Sequence, residues 1–129
     1  MLLEVLEGEF CICKVADMKA VNLDVPWVFV GKTDTELSVV CLAEHAPAQS
    51  LAREDGWRAF RVAGQMDFGL TGVLAGLSAV LAQAAISIFA LSTFDTDYIL
   101  VKEEKLTKAL DALELAGYEV ARATLPLEK

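Results

Sequence analysis

Two stretches of this chain repeat one another, and the repeat limits the folds open to it. Residues 28–33, then Asp34-Thr35-Glu36, then residues 37–40 share a layout with a later stretch. That stretch is residues 88–93, then Phe94, then Asp95-Thr96-Asp97 and residues 98–101. Each copy is an apolar strand, a turn holding Asp-Thr-acid and a second apolar strand, the signature of a β-hairpin. Asp34 and Asp95 stand 61 positions apart in a chain of 129, close to half its length, and self-similarity at that period points to duplication.

A second matching pair precedes the hairpins. Phe10-Cys11-Ile12-Cys13-Lys14-Val15 follows the same pattern as Trp57-Arg58-Ala59-Phe60-Arg61-Val62, at an offset of 47. The first copy is therefore 14 residues shorter between its opening strand and its hairpin. In the second copy that interval holds a helix, with Leu70, Val73, Leu74, Leu77 and Leu81 at helical spacing. In the first, residues 17–26 replace it with a loop or a single turn.

Further on, residues 86–92 and 98–102 read as strands, and Leu106, Leu110 and Leu113 form a second helical stripe. Glu104 and Lys108 make an i,i+4 pair outside that stripe, Gly117 stops the helix and residues 118–123 form a last strand. The order β-α-β-β-α-β predicts an α+β, ferredoxin-like unit: an antiparallel sheet with helices on one face. The expected organisation is a degenerate first copy over residues 1–55 and a complete second copy over 56–129. Residues 57–63 can close the first copy, open the second, or do both. On the first helix, Gly72, Ala75, Gly76, Ala79 and Ala82 leave one face small and uncharged. Such a face suits close packing against the first copy or a second subunit.

Composition narrows the partners. With 55% hydrophobic and 23% charged residues the chain is not disordered, and a net charge of −8 repels phosphate backbones and anionic lipid surfaces. Neither nucleic acid nor membrane is an expected partner. Residues 69–91 carry no charge, which is long enough to span a bilayer. However, Asp67 and Asp95 flank the stretch with no basic anchor, and Thr71, Ser78 and Gln83 interrupt it. Its period also changes from helical to alternating near Ala84, so a buried helix and a buried strand are expected instead. The start of the sequence has no basic region followed by an apolar run, and three cysteines make no disulfide framework. A reducing, cytoplasmic setting is expected.

Catalysis finds no foothold. His45 is the only histidine, and no nucleophile elbow, phosphate loop or dinucleotide fingerprint is present. Cys11, Cys13, Cys41 and His45 have a loose zinc flavour, but without a paired knuckle they read as buried filler in apolar strands. No metal or cofactor is expected. Asp95 and Asp97 are ordinary turn types, Asp67 or Thr71 suits a helix cap, and Trp57 suits a core.

Several runs carry a family resemblance. These are Met66-Asp67-Phe68-Gly69-Leu70-Thr71-Gly72-Val73-Leu74, Ser92-Thr93-Phe94-Asp95-Thr96-Asp97-Tyr98, Thr33-Asp34-Thr35-Glu36 and Gly56-Trp57-Arg58. Together the chain resembles the ACT domain, and within it the subfamily of short bacterial tandem-ACT proteins. That subfamily is related to the cytosolic arginine sensors of animals and to aspartate kinase regulatory ends. The resemblance implies a doubled ferredoxin-like fold, homodimers, a regulated protein partner and an amino acid bound between units. It implies ligand contacts at Asp67, Phe68, Gly69, Leu70, Thr71, Gly72 and Val73, and at Thr93, Phe94, Asp95 and Asp97. An acidic residue that holds arginine in the sensors falls near Leu70 or Thr71, neither of which is acidic; this departure counts against arginine and leaves the identity of the amino acid open.

The chemistry of an α-amino acid is consistent with those residues. A helix N-terminus offers free N–H groups to a carboxylate, and Gly69 and Gly72 let it come close. Asp97 or Asp95 can accept from the ammonium. Phe94 at a turn tip is an exposed aromatic, which usually has a partner.

Overall fold

The computed structural model describes residues 1–63 and 72–122. Its strands and helices, in chain order, are β1 (Leu2–Val5), β2 (Phe10–Lys14), β3 (Phe29–Lys32), β4 (Leu37–Leu42), β5 (Ala52–Val62), α1 (Val73–Gln83), β6 (Phe89–Ser92), β7 (Asp97–Lys102), α2 (Leu106–Leu115) and β8 (Glu119–Ala121). Two compact units result. One joins Met1–Glu7 to the chain from Arg58 onward, and the other is Gly8–Trp57.

The larger unit is the α+β, ferredoxin-like one. Its strands run in the order β6-β7-β5-β1-β8. The two helices supply the apolar stripes the sequence shows: Leu77 and Leu81 from α1, Leu110 and Leu113 from α2, all at most 3% exposed. They pack with Phe60, Val62, Ile99 and Val101 from β5 and β7. Each such side chain withdrawn from water contributes about 1.5–3 kcal/mol.

One strand departs from the expected plan. β1 lies between β5 and β8, antiparallel to the first and parallel to the second, with Leu3 facing Val62 on one side and Val120 on the other. The sheet is therefore not wholly antiparallel. Leu3 and Val5 are buried while Glu4 pairs with Arg61 of β5 at 3.0 Å, so β1 does show a strand's alternation.

Both helices stop the same way. After α1 the N–H of Ile86 reaches the Leu81 carbonyl and that of Ala85 reaches Ala82; after α2, Tyr118 reaches Leu113 and Gly117 reaches Glu114. This is the paired 6→1 and 5→2 pattern that satisfies the last carbonyls of a helix. It needs a left-handed residue, and Gly117 (φ 104°) and Ala85 (φ 61°) supply it. Because Ile86 is spent on this cap, β6 begins at Phe89 rather than at Ile86.

The unit Gly8–Trp57 has strand order β3-β4-β2-β5. Cys11, Cys13, Val39 and Cys41 form its core with Val15 and Leu37. No α-helix occurs in it. A single 3-10 turn at Met18–Ala20, capped by the Asp17 side chain, falls within the segment expected to replace the first helix. A second 3-10 turn at Ala43–His45 follows β4. β5 serves both units: Ala52, Arg53, Glu54 and Trp57 face β2, and Phe60, Arg61 and Val62 face β1. Between those stretches Gly56, at φ 85°, sits in a bulge where the register against β2 slips by one.

The hairpins align differently from the sequence letters. β3 and β6, β4 and β7, and the 3-10 turns Ala43–His45 and Glu103–Lys105 each lie 60 positions apart, not 61. Thr33 N–H bonds to the Glu36 carbonyl and Thr93 N–H to the Thr96 carbonyl, both at 2.9 Å. Phe94 is thus no insertion; it matches Asp34, and Asp97 matches Leu37.

Candidate functional site

Asp97 opens β7 and belongs to the strand rather than to the turn. Its counterpart Leu37 is a core residue, and Asp97 itself is 8% exposed. The Ser92 hydroxyl donates to Asp97 Oδ1 at 2.6 Å, across the end of the β6–β7 ladder. No other described residue donates to this carboxylate, so Oδ2 keeps its acceptor capacity.

The turn itself is held locally. Thr93 Oγ1 donates to the Thr96 carbonyl at 3.1 Å and lies 3.4 Å from the Thr96 N–H. Thr96, 6% exposed, donates from Oγ1 to the Val62 carbonyl at 2.8 Å. That bond sets the start of β7 beside the exit of β5. Phe94 is 73% exposed at the turn, and Asp95 beside it is exposed.

Of the segment entering α1, Gly72 and Val73 are described, and Asp67, Phe68, Gly69, Leu70 and Thr71 lie outside the described residues. Gly72 is the N-cap residue, at φ 80°, and has no side chain to occupy the first free N–H groups of α1. The helical cap expected of Asp67 or Thr71 is thus not at the N-cap position. Val73 packs against the core. On the small face of α1, Ala75, Ala79 and Ala82 are exposed, and a Cβ on Gly76 would meet Tyr118 Oη at 3.1 Å.

Two adjoining clefts open in the unit Gly8–Trp57. The larger, about 1050 Å³, is bordered by Asp17, Lys19, Gln49, Ser50, Leu51 and Arg53 among others. The smaller, about 550 Å³, is bordered by Lys14, Asp17, Lys32, Thr35, Glu36 and Leu51 among others. Its walls include Thr33, Thr35, Glu36 and Leu37, which match Thr93, Asp95, Thr96 and Asp97 at the 60-residue offset.

The cysteines sit together beneath β2 and β4. Cys11 Sγ lies 3.8 Å from Cys41 Sγ and 3.7 Å from Cys13 Sγ, with all three free and buried. Burial pushes the Cys11 and Cys13 thiols up to about 11; Cys41 adds to the effect at Cys11 and Cys11 adds to it at Cys13, while the hydrogen bond from Cys13 opposes it at Cys11. Cys41 donates to the His45 backbone carbonyl at 3.8 Å, while the imidazole faces Glu44 at 3.5 Å. No group of three or more such side chains among the described residues is placed to hold a metal ion. No helix among them is long and apolar enough to cross a membrane.

Residues 52–114 match the model of the ACT domain family. The chain contains an ACT domain. A crystal structure of an Agobacterium tumefaciens protein is 30% identical, covering 99% of this chain and 97% of its own, with a TM-score of 0.85. The two belong to one family along their length. A Vibrio cholerae protein of unknown function, described as a possible transport protein, is 23% identical over 88% of this chain and 87% of its own, with a TM-score of 0.69. Aspartate kinase from Synechocystis shares the fold over 98% of this chain and 28% of its own, at 13% identity and a TM-score of 0.66.

The ACT match takes in β5 to α2, and therefore the Thr93–Asp97 turn. The residues lining the two clefts lie outside it except for Arg53. Sequence reasoning passed over those clefts. One signal was available: Lys14, Lys19, Lys32 and Arg53 are all the lysines and arginines in residues 8–57.

Proposed function

We propose that this protein is a non-catalytic regulatory module that senses an amino acid at the β6–β7 turn and the segment leading into α1. The observation that carries the reading is Asp97. A carboxylate at a core-facing strand start costs stability unless it is used, and the matching position in the other unit is an ordinary leucine. Ser92 holds one carboxylate oxygen and leaves the other for an ammonium group. Thr93, Phe94 and Asp95 form the adjoining wall. Asp67, Phe68, Gly69, Leu70, Thr71, Gly72 and Val73 complete the site, with N–H groups at the helix start for the ligand carboxylate.

The two units derive from one ancestral unit in this reading. The shared strand order and the constant 60-residue offset of hairpins and following 3-10 turns support it. The absence of α-helices in Gly8–Trp57 makes that copy the degenerate one. Free, buried thiols fit a reducing cytoplasm.

A thermal-shift screen against the common amino acids tests the reading. At a hundredfold excess over Kd the ligand adds about 2.7 kcal/mol, several degrees for a chain of this size. We expect at least one amino acid to raise Tm, and Asp97→Ala to abolish that rise while the protein remains folded. No response to any amino acid, or one that survives Asp97→Ala, overturns it.

A second reading rests on the exposed Ala75, Ala79 and Ala82 of α1, a face that lets another backbone approach. It makes the protein a homodimerisation module without a ligand. Concentration-dependent mass together with silence in the amino-acid screen would favour it.

A further inference from the structure

The cations of Gly8–Trp57 are gathered in one place. Lys14 and Lys32 border the smaller cleft, Lys19 and Arg53 the larger, and Ala16, Asp17 and Leu51 border both. Asp17 and Glu36 are the acids on these walls, so four positive groups face two negative ones in a chain whose net charge is −8. Arg53 is held by Asp55 at 2.9 Å, and Asp17 accepts from the Lys19 backbone N–H. Lys14, Lys19 and Lys32 make no ion pair with any described residue.

The walls are not only charged. Leu51 is 66% exposed where the clefts meet, and Met18 is 38% exposed on the smaller one. Leu51 is fixed there by its N–H, which donates to the Lys14 carbonyl at 2.7 Å. The groove thus offers cations on either side of a fixed apolar patch, over a volume of the size that takes a small molecule.

We propose that this groove is a second ligand site, separate from the one at Asp97, and that it takes a small organic dianion: two carboxylates joined by a short aliphatic segment. Lys14 and Lys32 hold one carboxylate and Lys19 the other, with Leu51 and Met18 against the carbon chain. An ammonium held at a groove wall attracts such an anion without the bidentate geometry that Arg53 already spends on Asp55.

Isothermal titration of the full chain with glutarate, inorganic pyrophosphate and sodium chloride at matched ionic strength tests this. Saturable glutarate binding is expected, weakened at least about tenfold by Lys14→Gln/Lys32→Gln and again by Lys19→Gln. These exposed positions leave the circular dichroism spectrum and Tm of the unliganded protein unchanged. Glutarate binding is unaffected by Asp97→Ala, so failure of the amino-acid site and failure of this one are told apart. Pyrophosphate binding without glutarate binding overturns the proposal, as does a heat that sodium chloride reproduces or that survives the lysine substitutions.

Discussion

The Ser92 hydroxyl lies 2.6 Å from Asp97 Oδ1, at the point where the matching strands of the other unit pair Lys32 with Leu37. One unit thus places an acid where the other places a core leucine. Replacing a buried ionised group with a well-packed apolar one is often neutral or stabilising. Asp97→Leu is expected to change unfolding free energy by less than about 1 kcal/mol, or to raise it. It is also expected to remove the amino-acid response. Chemical denaturation alongside the thermal-shift screen checks both; a loss of several kcal/mol would make Asp97 a structural residue.

Thr96 ties β7 to β5 through its 2.8 Å bond to the Val62 carbonyl. Thr96→Val keeps the shape and removes the buried donor to that carbonyl. The expected cost is about 1–3 kcal/mol. Urea denaturation measures it, and a change within about 0.5 kcal/mol, as for ordinary surface substitutions, would contradict the assigned bond.

The two helix stops respond oppositely to exchange. Ala85 occupies a left-handed conformation that costs a side-chain-bearing residue about 1–2 kcal/mol, so Ala85→Gly is expected to gain up to about 1 kcal/mol after the added entropy of the unfolded chain. Gly117→Ala is expected to lose about 1–2 kcal/mol at its φ of 104°. Parallel melting curves reveal the signs; the same sign for both would refute the shared capping geometry.

Cys11 and Cys13 release their protons near 11 in the folded chain and near 9 unfolded. A raised folded value means the native state holds its protons longer. The contribution is fully present below pH 9 and is lost as pH rises through 11. Tm is therefore expected to fall across pH 9–11, less so in Cys11→Ala/Cys13→Ala. At pH 8 a disulfide reagent is expected to find the thiols inert until the protein is denatured, when all three react. Rapid reaction of the native protein would contradict the burial.

The larger unit was legible because its elements obey strong periods. Leu77 and Leu81 repeat as a helix, and the hairpins are bounded by clear turn residues. The 61-residue alignment followed the letters Asp-Thr-acid, whereas backbone hydrogen bonds pair Thr33 with Thr93 and shift the count by one. β1 was missed because four residues with two inward side chains carry little signal, and its partners are distant in sequence. The end of α1 was blurred because Ala85 does the work usually given to glycine. Lys14, Lys19, Lys32 and Arg53 are scattered along the sequence, and folding alone gathers them. At the candidate site, the turn residues were legible, but Asp97 was assigned to the turn because nothing in the letters shows that β7 starts there.

The position of β1 has a consequence for how the chain is made. Leu2–Val5 leaves the ribosome well before its two neighbours, the end of β5 and then β8. The strands of Gly8–Trp57 have all emerged by the time Trp57 does, so that unit can close early. The first strand must wait through that interval with both edges open. The ferredoxin-like unit is thus sealed only once β8 has emerged, by a strand made more than a hundred residues earlier meeting it.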